Sequence, residues 1–254
     1  MSRKILCVGI AFLALSAFVF AGGAKETKEA ETMKIVVATD ATWPPMEMVD
    51  EQKQIVGFDI DLLTAAAKEG GFAVEFKNTA WDGIFAGLEA GKYDAVISSV
   101  TITDERKKSM DFSDPYINAG QVIVVKTEAK GVEKLADLKG KTVGAQIGTT
   151  GAFEIEKNKE LKFKSYDEIG LAVEDLVNGR LDAIVADNPT AASYVLQNAN
   201  YKTKLKIVGV PFTDEYYGIA VKKGNAKILS AINAGLKKVK DAGLNKQLEA
   251  KWLR

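Results

Sequence analysis

Thr103-Asp104-Glu105-Arg106 reads as the start of a short helix, with Thr103 as its N-cap and two acids suited to the positive helix end. Arg106 does not belong by that account, because a cation in a helix's first turn is unfavourable on its own. An anion held jointly by the guanidinium and the free N–H groups of the turn would justify it. Asp40 follows the β-branched run at 34–39 and precedes Trp43-Pro44-Pro45, so an acid and a large aromatic share a stiff loop. A turn acid and a loop-packing tryptophan are the plainer account of that pair. Asp187-Asn188-Pro189 offers a second carboxylate. Asp187 can cap the following helix with Pro189 in its first turn, turn towards a ligand, or do both, since a carboxylate has about four lone-pair sites. Ser98-Ser99-Val100-Thr101 and Gln146-Ile147-Gly148-Thr149-Thr150-Gly151 add hydroxyls and backbone N–H groups. The second segment lacks the length and the lysine of a nucleotide-binding loop, and a simple helix cap is its plainer reading. One guanidinium, two carboxylates, helix N-termini and the aromatics Trp43 and Trp81 suit a zwitterion with a side chain. An α-amino acid is such a ligand.

Other chemistries are excluded by composition. The 254 residues contain no histidine and one cysteine, Cys7. This rules out the Ser-His-Asp triad, imidazole zinc sites, cysteine-ligated metals and a disulfide framework. No metal or cofactor site and no catalytic residue is read from the chain. Without histidine, the charged groups of the site are expected to keep their charge across neutral pH. The 34 basic residues equal the 34 acidic ones, so the basic surplus needed to neutralise a nucleic-acid backbone is missing. At 47% hydrophobic and 27% charged residues the chain falls in the globular range and can bury a core.

Alternating strand and helix signals must position these groups. Strands are predicted at 34–39, 72–76, 94–98, 121–125, 142–146, 161–166, 182–186 and 205–210. Helices are predicted at 58–68, 81–90, 132–138, 151–158, 168–178, 190–198 and over most of 225–252. Such alternation implies an α/β fold with mixed, mostly parallel sheets. Leu88-Glu-Ala-Gly-Lys-Tyr-Asp-Ala-Val-Ile97 and Leu176-Val-Asn-Gly-Arg-Leu-Asp-Ala-Ile-Val185 share Leu, Gly, Asp and Ala in register. Convergent capping and packing could produce so short a match, but a copy in each half suggests two similar lobes. Ligands of open α/β sheets bind beyond the carboxyl ends of the strands, which places the site in a cleft between lobes.

Arg3 and Lys4 precede an uncharged apolar run from residue 5 to 20, ending in Val19-Phe20-Ala21. That pattern is a secretory signal peptide, 1–21; a membrane anchor is the competing reading, and the run is short for one. Removal would take the only thiol with it. Residues 22–32 carry no large apolar side chain and read as a flexible leader.

The stretch from Ser98 to Tyr116, SSVTITDERKKSMDFSDPY, resembles the signature of the polar amino-acid-binding family of periplasmic solute-binding proteins. Gly57-Phe-Asp-Ile-Asp-Leu62 and Ala41-Thr-Trp-Pro-Pro-Met-Glu47 are similar to the same family's pattern, although Met46 stands where phenylalanine is commoner. The resemblance implies a type II two-lobed fold: lobe 1 from 33–121 plus 217–254, lobe 2 from 126–213, and crossings at 121–126 and 213–217. It implies that Arg106 grips a ligand carboxylate with Thr101 and Thr150, and that Asp187 takes the ammonium with Ser99 and Thr101. It also implies that Trp43 and Trp81 stack on the side chain and that Asp40 meets its polar end. Gln146 stands where glutamine-binding relatives carry lysine; Ser98-Ser99 and the segment from Gln146 through Thr149 to Gly151 look closer to arginine and lysine/arginine/ornithine binders. Arginine or another cationic amino acid is therefore the expected ligand, with glutamine second. The implied setting is a periplasmic monomer that delivers a free L-amino acid to the permease of an ABC importer. A dehydratase-like enzyme on the same scaffold and a receptor sensor domain are the alternatives; the first lacks a free general acid or base, the second a spanning helix.

Overall fold

The computed structural model describes residues 32–253; the expected signal peptide with Cys7, and the leader up to residue 31, lie outside the described residues. The two sheets have five strands each. The first runs Ala73–Asn78, Lys34–Thr39, Ala95–Val96, Ala220–Lys222, Met110–Phe112 in spatial order. The second runs Lys162–Tyr166, Thr142–Gln146, Ala183–Asp187, Gln121–Lys126, Leu205–Val208. In each sheet the first three strands pair in parallel and the last two join antiparallel. Parallel neighbours here are joined through helices, as such pairs require. Gln121–Lys126 and Ala220–Lys222 instead arrive from the other sheet, so the sheets are mixed and only half their pairings are parallel.

The sequence repeat has a structural basis. Each copy is a helix followed by the third strand of its sheet: Ile84–Glu89 with Ala95–Val96, and Ile169–Val177 with Ala183–Asp187. The shared glycines, Gly91 and Gly179, both have φ 73°, a conformation open to glycine at little cost. The shared aspartates do one job. Asp94 accepts from the Val36 N–H and Asp182 from the Thr142 N–H, each at 2.8 Å, pinning the helix-to-strand turn to the adjacent strand.

One of the expected crossings is placed elsewhere. Residues 121–126 form an interior, almost wholly buried strand of the second sheet. The antiparallel connection between the sheets is instead made by Ile117–Ala119 paired with Glu215–Tyr217, the latter inside the expected 213–217. A β-branched run such as Gln121-Val-Ile-Val-Val125 gains more from burial between two neighbours than it could as a solvated strap. Several elements are shorter than predicted. The helix expected from Trp81 starts at Ile84, after Gly83, and only a 3-10 turn, Leu135–Leu138, forms in 132–138. The 190–198 helix is a short α segment, Asn188–Ala192, continued by a π turn, Ser193–Gln197. A ribbon of three short strands, Thr42–Trp43, Glu47–Val49 and Ile55–Val56, was not predicted, being too short to show a period of two.

The Phe58–Gly70 helix packs Leu62, Leu63 and Ala66 against Ile232, Leu236 and Val239 of the Ala226–Asp241 helix, which brings the C-terminal segment back onto the first sheet's side. The contact is close: a Cβ on Gly235 would lie 2.3 Å from the Ala66 carbonyl oxygen. Among the described residues, no helix is long and apolar enough to cross a membrane, and no group of three or more acidic, histidine or cysteine side chains is placed to hold a metal.

Candidate functional site

The strand-end rule places the site residues where the sequence pointed. Asp40 is the first residue after Lys34–Thr39, Ser98 and Ser99 follow Ala95–Val96, and Gln146 and Asp187 are the last residues of their strands. These ends surround a small cavity. All the residues expected in the site line it: Asp40, Trp43, Trp81, Ser98, Ser99, Thr101, Arg106, Gln146, Thr149, Thr150 and Asp187. Glu47 lines it too. Sequence reasoning had placed Glu47 in a family pattern without giving it a role, and the ribbon that carries it inward was not foreseen.

Arg106 is held from several sides. Its guanidinium donates to the carbonyls of Thr101 at 2.9 Å and Gly148 at 3.2 Å, one on each side of the cleft. Its Cζ lies 5.5 Å from the Trp81 ring centroid and 5.1 Å from that of Phe85, so two aromatic faces carry the cation. Phe85 was missed, although its spacing of four from Trp81 was visible. Thr103 caps the helix as expected, accepting from the Arg106 N–H at 3.1 Å. Burial lowers the Arg106 pKa to about 10, against the pull of Asp187 and Glu215, and the group stays cationic at neutral pH.

The acids oppose it. Asp40 accepts from Thr42 Oγ1 and Gln146 Nε2, each at 2.9 Å, and its own N–H donates to Ser98 Oγ at 2.9 Å. Burial pushes its carboxyl above the ordinary range. Asp187 does not cap the helix it precedes, although Pro189 does occupy the first turn; its carboxylate accepts from Gln121 Nε2 instead. Burial, with the Glu215 charge second, raises the Asp187 pKa to about 7. The expectation of a charge state fixed across neutral pH therefore fails. A histidine-free site can titrate near neutrality when a carboxyl is buried without a cation in contact.

Thr149 follows the plainer reading of its segment, capping the helix through the Ala152 N–H at 3.2 Å. Thr101 and Thr150 donate their hydroxyl protons to Glu215 Oε2, at 3.0 and 2.7 Å. A hydroxyl has one proton, so what these residues can offer a ligand anion alongside that contact is main-chain N–H groups. Glu215 and Gln121 were not foreseen, because each reaches the site from the connection between the sheets or from the strand beside it. Trp43 is buried in the core with Met46 and Phe58, its indole N–H without a partner. Trp81 is half-buried and edges onto Phe85.

A cavity enclosed by the strand ends of two α/β sheets, with one guanidinium facing several carboxyls, defines a two-lobed receptor for a small polar solute. The chain belongs to the bacterial extracellular solute-binding proteins, family 3, which it matches over residues 35–254. It is 41% identical over 221 residues to a probable histidine-binding protein of Neisseria gonorrhoeae, a match that covers 85% of this chain and 81% of that one. An ancestral arginine-binding protein solved with arginine is 46% identical, with a TM-score of 0.82 over 87% of this chain and 98% of that one. A structure of an ancestral arginine-binding protein bound to glutamine is 47% identical, with a TM-score of 0.81 over 86% of this chain and 97% of that one. The fold class expected from the sequence is thus borne out, and the protein is a binding protein, not an enzyme.

Proposed function

We propose that this protein is the exported, monomeric substrate-binding component of an amino-acid ABC import system, and that it binds arginine or another cationic L-amino acid and presents it to a membrane permease. The observation that carries the ligand class is the charge balance of the cavity: Arg106 is the one cation that lines it, against the carboxyls of Asp40 and Asp187. Arg106 meets the ligand carboxylate with main-chain N–H groups at Thr101 and Thr150. Asp187 takes the α-ammonium, and Asp40 the distal cation beside Trp43 and Trp81. A guanidinium against aromatic faces gains about 0.5 to 2 kcal/mol per contact. The relatives' names, which include arginine-, histidine- and glutamine-binding proteins, support an amino acid.

Glutamine is the second reading, favoured by one feature: the buried Gln146 Oε1 lacks a partner, and a ligand amide could donate to it. Lobe 1 centres on the first sheet and lobe 2 on the second, with the Ile117–Ala119 and Glu215–Tyr217 pair as the hinge. The run at 1–21 serves as a signal peptide that directs export to the periplasm. Thermal-shift screening of unfolded and refolded protein against the amino acids, followed by calorimetry, tests the reading. Cationic amino acids should give the largest shifts; a response confined to neutral or acidic ones would overturn the ligand class. Solution scattering should show compaction on binding.

A further inference from the structure

Two acids behind the Ser98–Ser99 turn have no cation beside them. Glu47 and Asp59 are both fully buried, and neither enters an ion pair among the described residues. Glu47 Oε1 and Oε2 accept from the hydroxyls of Ser98 at 3.2 Å and Ser99 at 3.3 Å. Asp59 Oδ2 accepts from the Ser99 N–H and the Tyr116 hydroxyl, each at 2.8 Å, while its Oδ1 has no such partner. The two carboxyl groups meet at one residue, Asp59 through the Ser99 N–H and Glu47 through the Ser99 hydroxyl. Two buried carboxylates against one residue, with no cation beside them, do not both ionise. One proton held by the pair leaves a single negative charge.

This pair also holds the turn in place. Ser99 has φ 50°, a left-handed conformation uncommon for a residue with a side chain, and the acids engage both its N–H and its hydroxyl. The hydroxyl protons of Ser98 and Ser99 point to Glu47, so what the serines offer the cavity is lone pairs. Glu47, Ser98 and Ser99 all line that cavity. A wall of acceptors backed by a negative charge suits a cationic N–H group.

We propose that Glu47 and Asp59 are a proton-sharing pair of positioning residues that fix the Ser98 and Ser99 hydroxyls as acceptors and thereby select a cationic ligand. The proposal rests on the amino-acid receptor reading above and adds to it a determinant of selectivity.

The test compares arginine and glutamine affinities at about pH 7.5, near neutrality where the surface acids are ionised, for Glu47→Gln, Asp59→Asn and the double variant. Glutamine at 47 keeps a donor for Asp59 and an acceptor for the serines. Asparagine at 59 keeps an acceptor for the Ser99 N–H and a donor for an ionised Glu47. Each single variant thus retains one negative charge and the double retains none. Arginine affinity should change by less than about threefold in either single variant and fall by about tenfold or more in the double, a non-additive pattern, with glutamine affinity moving less than about threefold throughout. An unchanged double variant, equal loss of both ligands, or a single variant as weak as the double would overturn the proposal. Infrared difference spectra of wild type against Glu47→Gln read the shared proton without any ligand. Loss of a carboxylic-acid C=O band supports the pair, and its absence overturns it, even if the double variant does not fold. Failure of the wild type to bind any amino acid would defeat the receptor reading alone and leave the infrared result to judge the pair.

Discussion

Gln146 Nε2 donates to Asp40 Oδ2 at 2.9 Å, tying the end of a second-sheet strand to the end of a first-sheet strand across the cleft. The same nitrogen donates to the Asp167 carbonyl at 2.8 Å, so both amide protons are committed and Asp40 meets a neutral donor. Asp40 thus keeps its charge for a ligand. Gln146→Lys would give Asp40 a cation of its own and repel another. Arginine affinity is expected to fall by about tenfold or more, one to a few kcal/mol of lost pairing and added repulsion, while glutamine affinity holds or rises. Calorimetry with the two ligands checks this; equal changes for both would show that Asp40 does not read the side chain.

Arg106 is the one cation lining the cavity, and its partners there are carbonyls and aromatic rings rather than a fixed carboxylate. Arg106→Ala should weaken every amino-acid ligand by about a hundredfold or more, the loss seen when one partner of a buried charge pair is removed. Retained binding of any amino acid tested would place the carboxylate elsewhere.

Asp40→Asn keeps the acceptor for Thr42 and removes the charge. Arginine should lose about tenfold and glutamine little, since only the first brings a cation to pair with it. A competition series of arginine, lysine and glutamine on the variant reads the difference.

Asp187 makes binding and stability depend on pH in opposite senses. Its pKa of about 7 lies above the ordinary 3.8, so the folded protein holds a proton that the unfolded chain releases. Ligand-free stability carried by this group is therefore present at low pH and is lost as pH rises from about 4 to about 7. Asp187→Asn should raise the ligand-free melting temperature above neutrality and flatten this dependence. A bound ammonium favours the carboxylate, so binding at about pH 6 should release a proton, and affinity should fall roughly tenfold from pH 7.5 to pH 6. Calorimetry in buffers of different ionisation enthalpy counts the proton. If none is released, Asp187 is not the ammonium partner.

The repeat predicts a matched pair of losses. Asp94→Ala and Asp182→Ala each remove one carboxylate–backbone hydrogen bond, worth about 1 kcal/mol, and the first should cost more because its bond is less exposed. Denaturant melts measure both. An effect at one site alone would mean that the copies resemble each other by capping and not by shared structure.

The sequence alone determined the α/β class, the repeat and the cavity lining apart from Glu47, because these follow from local signals. Strand periodicity marks an end, and the residue just past that end is read directly. Asp40, Gln146 and Asp187 were found in this way. Tertiary structure alone decided what depends on residues distant in the chain. The run at 121–126 could be a strap or an interior strand; only its neighbours Ala183–Asp187 and Leu205–Val208 make it the latter. In the sequence Glu47 is only the end of a family pattern, Asp59 a polar position of a helix and Glu215 part of a connection. Their meaning arises from proximity to Ser98, Ser99, Thr101 and Thr150, separations of about 40 residues or more that no local pattern encodes. Burial is the physical reason the protonation states also escaped the sequence. A carboxyl's charge is set by the water and cations it loses on folding, and the sequence lists the group without its surroundings.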